Sequence, residues 1–376
     1  MDSRIAENLQ ECVETGWVST GGRFIGEFEK KVARYLGMND AVACQSGTAG
    51  LHTALRILGV GAGQEVIVPA VTFIAAVNPV RYLGAVPVFM DCDRTLCMDP
   101  DKLEKFCREE CSLEDGRLIN KSTGRTVKAV IPVHVFGSLA DMERIMYIAE
   151  TYGLRVLEDA SEALGSFWES GHFVGKHAGT VGHMGVYSFN ANKIITTGGG
   201  GMIVSKHNEA LARARYLITT AKNDPLYFVH DEVGYNYRML NLQAAIGVSQ
   251  IDYLEPFIKT KIRNYSLYGD FLEGVAGMRL LPFSPGVRAN HWFYSLLIDD
   301  QKRRDKLMMR LIDAGVQCRP LWKLVNTQKA YRPFQAYMVE RAPYYEGHIL
   351  NIPCSVSLTE GDVKYVSEKI IKCAGP

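Results

Sequence analysis

Short, wholly apolar runs alternate with amphipathic stretches through the first half of the chain. Residues 26–37 place Phe28, Val32, Tyr35 and Leu36 at helical spacing, the stripe of a helix laid on a core. Residues 41–44 predict a strand and 48–58 a helix. Residues 65–69 predict a strand, 74–83 a helix and 87–91 another strand. Residues 127–135 read as an apolar strand, and 142–152 as a helix leading into a strand that ends at Asp159. These strands are apolar at consecutive positions, so both of their faces are buried. The alternation predicts an α/β fold: a mostly parallel sheet with helices on both sides.

Near Asn241 the pattern changes. Residues 242–273 predict one long helix, or a helix pair interrupted at Pro256. Residues 291–299 then read as a strand, 302–314 as a helix and 363–373 as a final helix. The expected division is a large domain over 1–245, with an N-terminal helix in the polar residues 1–16. A linking helix and a small α+β domain fill 246–376. Residues 116–125, polar and turn-rich, are expected to be an exposed loop.

Composition narrows the function. The chain has 376 residues, enough for a large and a smaller domain with a substantial core. A net charge of +1 offers no bulk attraction to nucleic acid or anionic membrane. No apolar run reaches the length of a membrane span, and residues 1–16 lack a signal-peptide core. A cytoplasmic protein is expected. The nine cysteines lack zinc-finger spacing, Cys92/Cys97 and Cys107/Cys111 being the nearest pairs. Single buried thiols and no metal site are expected.

The chemistry centres on Lys193. It lies in Ser188-Phe189-Asn190-Ala191-Asn192-Lys193, shortly before the four glycines Gly198 to Gly201. Asp159 ends a strand 34 residues upstream. A strand-end acid followed by a lysine between two short strands suits a pyridoxal phosphate (PLP) enzyme. The amine forms a Schiff base with the cofactor aldehyde, and the acid keeps the pyridine nitrogen protonated so that the ring can accept electrons.

Other residues fit around that pair. Ser46-Gly47-Thr48-Ala49 follows a strand and opens a helix, where backbone N–H groups and the Thr48 hydroxyl can meet an anion. Ordinary N-capping by Ser46 or Thr48 explains the same residues. Phe73 stands at a strand's C-terminal end, either stacking on a pyridine ring or filling the core. Glu162, three residues after Asp159, is close enough to approach the same cofactor, and Ser188 can donate to phosphate. His134 either lines the pocket or, the better reading, is a satisfied core histidine. Neither a P-loop nor a G-x-G-x-x-G fingerprint is present.

Taken in order, Ser46–Ala49, Glu158-Asp159-Ala160, Ser188–Lys193 and Gly234-Tyr235-Asn236-Tyr237-Arg238 resemble the DegT/DnrJ/EryC1/StrS family of nucleotide-sugar aminotransferases. The likeness covers essentially the whole chain. It implies PLP fold type I (aspartate aminotransferase-like) and a homodimer with active sites at the subunit interface. It makes Lys193 the Schiff-base lysine, Asp159 the pyridinium partner and Glu162 the neighbour of the ring hydroxyl. Gly47, Thr48, Ala49 and Ser188 become the phosphate site, Phe73 the stacking residue, and Asn236 a phosphate contact supplied by the neighbouring subunit.

Further stretches, among them Thr219-Thr220-Ala221-Lys222 and Arg319-Pro320-Leu321-Trp322, are similar to the LegC-type C4 aminotransferases of legionaminic acid and bacillosamine-type pathways. That likeness implies transfer of the amino group of L-glutamate to the C4 ketone of a UDP- or GDP-linked 4-keto-6-deoxy-N-acetylhexosamine. Lys222, His230 and Arg319 are expected to contact the nucleotide-sugar, since a diphosphate needs cationic donors; solvated surface charges are the plainer account. Perosamine-type or C3 aminotransferases and a non-catalytic sensor share the fold. The intact Lys193–Asp159 pair speaks against the sensor, and against a dehydratase with histidine in place of the lysine.

Overall fold

The computed structural model describes residues 3–224 and 226–374; Met1 and Asp2, at the start of the expected N-terminal helix, lie outside them. Seven of the ten strands that the central sheet has among the described residues form its body: β1 (Val42–Cys44), β2 (Glu65–Pro69), β3 (Val86–Met90), β4 (Arg125–Val130), β5 (Arg155–Asp159), β6 (Met184–Ser188) and β7 (Gly201–Val204). Their spatial order is β1-β7-β6-β5-β4-β2-β3, and only β7 runs against the rest. All of β2 and β7, and nearly all of β3, β5 and β6, is buried, as their continuous apolar sequences require. The helices Arg23–Tyr35, Gly47–Ile57 and Met142–Tyr152 close the main core with Phe28, Val32, Leu51, Leu55, Ile145 and Ile148. This is the α/β fold with a mostly parallel sheet and covering helices that the sequence predicts.

A second core lies in the C-terminal part. The strands Met278–Leu280, Tyr294–Ile298, Ile349–Ile352 and Arg319–Pro320 form an antiparallel sheet in that spatial order. Tyr268, Leu296, Leu307, Leu311, Val366 and Ile370 fill the space against it. The helix Leu254–Phe271 reaches both cores, with Leu254 and Ile258 in the first and Tyr268 in the second.

Three expectations need correction. Residues 116–125 are not a loop: Cys111–Glu114 and Arg117–Asn120 form a hairpin that pairs onto β4. Its two-residue turn is Asp115-Gly116, both at positive φ, 49° and 72°, which is the Asp-Gly hairpin signal. The helix break after Asn241 falls at Ile251–Tyr253, a 3-10 turn, and not at Pro256. Pro256 sits in the first turn of the following helix, where a missing N–H costs no helical bond. Residues 74–83 split into the 3-10 turn Ile74–Ala76 and the short helix Asn78–Tyr82, restarted by Pro79.

Asp91, just beyond β3, ties the C-terminal half to the sheet. Its buried carboxylate accepts from Lys102 Nζ (2.6 Å) and from the backbone N–H groups of Glu340 (3.0 Å), Arg341 (2.8 Å) and Ala342 (2.8 Å). Those amides open the helix Arg341–His348, whose N-terminus favours a negative charge. Burial alone would raise the Asp91 pKa, but the hydrogen bonds from Lys102 and the three amides bring it below the ordinary aspartate value.

A carboxylate with a depressed folded pKa stabilises the fold fully above its unfolded pKa. That stabilisation is lost as pH falls through the folded value. Asp91→Ala is therefore expected to cost about 3 kcal/mol at neutral pH, with a difference from the parent that shrinks in acid. Urea unfolding at pH 7 and below pH 4 checks this; equal differences at both would contradict it.

Candidate active site

The parallel strands deliver their C-terminal ends to one cavity of about 330 Å³. β1 leads to Ser46, Gly47 and Thr48, and β2 to Thr72 and Phe73. β5 ends at Asp159 and leads to Ser161 and Glu162. β6 ends at Ser188 and leads to Lys193, and Gly199 and Gly200 bring the chain into β7. This is the ligand-binding edge of an open α/β sheet. The remaining wall is aromatic: Trp292, Phe293 and Trp322 arrive from the C-terminal half.

Among the described residues, Lys193 is the only lysine lining this cavity. Its side chain is 11 % exposed, with Nζ 3.9 Å from Glu162 Oε1. The amine also stands 4.0 Å from the centre of the Trp292 ring. Burial lowers its pKa, and the carboxylates of Glu162 and Asp159 pull in the opposite direction. Burial pushes Glu162 up to about 7, against the pull of Lys193 and a hydrogen bond from Phe136 N–H at 2.9 Å. Phe136 holds a left-handed φ of 58°, strained for a residue with a Cβ, and this bond helps to pin it. Asp159 accepts from Ser161 N–H at 3.0 Å, which fixes its carboxylate at the strand end.

Ser46 caps the helix Gly47–Ile57 by accepting the Ala49 N–H at 3.1 Å. Both readings of this turn thus hold in part: Ser46 is an N-cap, while Gly47 and Thr48 line the cavity and Ala49 does not. Phe73 is no core residue; it is 54 % exposed and lines the cavity. His134 is the satisfied core histidine. It is fully buried, its Nδ1 accepts from Ala140 N–H (3.2 Å), and its Nε2–H therefore donates to Glu158 (2.8 Å).

Four expected site residues lie away from the cavity of their own chain. Lys222 and His230 pair across a small ribbon, with Lys222 Nζ over the Phe228 ring and His230 bonded to the Thr220 carbonyl. Asn236 is exposed beyond that ribbon. Arg319 is exposed, at the edge of the C-terminal sheet, and donates to the Cys318 carbonyl. Sequence reasoning missed Trp292 and Phe293. The aromatic cluster His291-Trp292-Phe293-Tyr294 was the available signal.

The DegT/DnrJ/EryC1/StrS aminotransferase family matches residues 1–371. The chain belongs to this family. It is 36% identical over 342 residues to the putative PLP-dependent aminotransferase EpsN of Bacillus subtilis, covering 90% of this chain and 84% of that protein. It is 35% identical to the GDP-perosamine synthase of Caulobacter vibrioides, covering 97% and 94%. A DegT/DnrJ/EryC1/StrS aminotransferase crystal structure from Brucella abortus superposes with a TM-score of 0.89 at 28% identity, covering 100% and 96%. These names differ from the LegC-type branch expected from the sequence.

This family member is a PLP-dependent aminotransferase, and the cavity fits its cofactor. An amine, Lys193, and a carboxylate, Asp159, face the same cavity, the two group types that the cofactor's aldehyde and ring nitrogen would need. Gly47, Thr48 and Ser188 gather at the helix N-terminus, which favours a phosphate. Phe73 presents an open ring face.

The glycine run makes this closeness possible. A Cβ on Gly201 would stand 2.6 Å from the Ser46 carbonyl carbon and oxygen and 2.7 Å from Gly47 N. All three are backbone atoms, so the turn itself must move. Overpacking of this kind costs about 1–3 kcal/mol. Gly201→Ala is expected to weaken PLP binding about tenfold, measured by absorbance titration of the cofactor-free protein. Parent-like affinity would show that the Ser46–Thr48 turn does not hold the phosphate.

Proposed function

We propose that this enzyme transfers the amino group of L-glutamate to the C4 ketone of a nucleotide-linked 4-keto-6-deoxyhexose. The observation that carries the reading is the Lys193 amine, enclosed in one cavity with Asp159, Glu162 and the helix N-terminus at Gly47. The perosamine-type reaction on a GDP-linked sugar is supported by relatives named GDP-perosamine synthase at 35%, 33% and 32% identity. A UDP-linked N-acetylhexosamine is the second reading, favoured by Arg319-Pro320-Leu321-Trp322.

When bound, PLP supplies an aldehyde for amine exchange and a ring that accepts electrons. Lys193 Nζ, its pKa lowered by burial, would carry the proton from the amine-bearing carbon of glutamate to the cofactor's aldehyde carbon, and in the second half-reaction from that carbon to C4 of the sugar. Asp159 holds a proton at the ring nitrogen through a charge-assisted hydrogen bond. Glu162, titrating near neutrality, can hold a proton beside the ring hydroxyl. Thr48 and Ser188 bind the phosphate, and Phe73 covers the ring and excludes water.

A second copy of the chain would complete the site. Leu226, Tyr227, Phe228 and Val233 are 64–77 % exposed around the ribbon that carries Lys222 and His230. Such an apolar patch calls for a partner surface. Pairing through this ribbon would bring Asn236, Lys222 and His230 toward the partner's cavity, with Asn236 on the phosphate and the two cations on the nucleotide.

Incubation with PLP, L-glutamate and GDP- or UDP-linked 4-keto-6-deoxy sugars, followed by mass spectrometry, tests the reaction. An amino-sugar product is expected from the parent. Lys193→Ala is expected to lower the rate by about 10³-fold or more while leaving the fold intact. No product with any keto-sugar, or a Lys193→Ala variant turning over near the parent rate, would refute the reading.

Mixing inactive Lys193→Ala and Asn236→Ala chains tests the shared site. Random exchange leaves one intact site in each heterodimer, so roughly a quarter of parent activity should return. No recovery after verified exchange places Asn236 outside the partner's site.

A further inference from the structure

Lys261 is a buried lysine with no place in the chemistry above. It is 4 % exposed, and its ammonium donates to the carbonyls of Trp292 (3.0 Å) and Cys354 (2.5 Å). Burial lowers its pKa. A buried amine held by two neutral carbonyls is a costly way to fill space, since an apolar side chain of similar size would pack there without desolvation. What the ammonium secures is therefore informative.

It secures Trp292, which is fixed at three further points. Its backbone N–H donates to the Asn290 side-chain oxygen (2.9 Å) and to the Phe136 carbonyl (3.1 Å). Its indole N–H donates to the Asn192 carbonyl at 2.7 Å. Asn192 directly precedes Lys193, and the Lys193 amine stands over the same indole face at 4.0 Å. One side chain thus grips the backbone beside Lys193 and seats its amine. Phe293, stacked on Trp292 at 4.0 Å and 10°, restrains the ring further.

We propose that Trp292 is a positioning residue for Lys193: its indole face seats the lysine amine, and Lys261 locks that seat from behind. The inference rests on Lys193 being the reactive lysine. An indole face attracts the ammonium over the free amine, so it acts with Glu162 and Asp159 to keep the Lys193 pKa from falling further. It also directs the amine when it is not joined to the cofactor.

Competitive acetylation of the full-length, cofactor-free protein with acetic anhydride across pH gives the Lys193 midpoint by peptide mass spectrometry. Trp292→Leu, which keeps apolar burial but removes the π face, is expected to lower the midpoint by about 1 pH unit. Trp292→Phe should lower it less. Lys261→Met should lower it as well, because the indole loses its anchor, and Lys261→Arg should restore it.

A purely electrostatic role for Lys261 has the opposite sign, since removing a neighbouring cation raises an amine's pKa. An unchanged or raised midpoint in folded Trp292→Leu, or a raised one in Lys261→Met, would overturn the proposal. Should either of those variants fail to fold, Trp292→Phe decides through a drop of a few tenths against no change. The readout needs neither sugar nor turnover, so it can fail while the transaminase reading stands.

Discussion

A buried amine held beside two carboxylates, Lys193 with Glu162 and Asp159, is the constraint around which this molecule is arranged. Burial drives the Lys193 proton off; Glu162 and Asp159 hold it on. Opposed effects of this kind are how a site tunes a proton-transferring amine, the role proposed for Lys193. Burial pushes Glu162, the lysine's nearest carboxylate partner, up to about 7. Neither group acts alone, because any change in the burial of one is felt by the other.

The sheet topology meets this constraint. Parallel strands end on one side, so residues far apart in sequence reach the same cavity edge without long loops. β1 and β2 diverge to opposite sides of β4 to β7, and the helix Gly47–Ile57 starts at that edge. The antiparallel β7 lets the chain turn back through Gly198 to Gly201 and hold Lys193 on a short loop. Trp292, Phe293 and Trp322, from the C-terminal half but packed with the main core, then set an aromatic wall against the open side.

Much of this was legible in the sequence, and the reason is local. Continuous apolar runs marked the buried strands, and residue type at the strand ends marked Ser46, Phe73, Asp159, Glu162 and Lys193. All but one of the expected cofactor residues of a single chain line the cavity; the exception, Ala49, gives its amide to Ser46. The placement of Trp292 and Trp322 was harder to read, because both come from the C-terminal half yet pack with the main core, and the aromatic run His291–Tyr294 does not say which cavity it meets. The helix break at Ile251–Tyr253 escaped for a related reason. Proline is tolerated in a first helical turn, so Pro256 marked the start of a helix and not an interruption. Asn236, Lys222 and His230 were expected from the family resemblance, and they lie outside the cavity of their own chain.

The central claim is that Lys193, and no other lysine, takes the cofactor. The direct measurement is borohydride reduction of the PLP-loaded protein, followed by proteolysis and peptide mass spectrometry. Reduction makes a cofactor–lysine link permanent, so the mass tag reports the site itself and not a consequence of turnover. The account requires one phosphopyridoxyl group per chain, on the peptide containing Lys193. A tag on Lys261, Lys222 or another lysine, or a fully loaded protein without any tag, would contradict it.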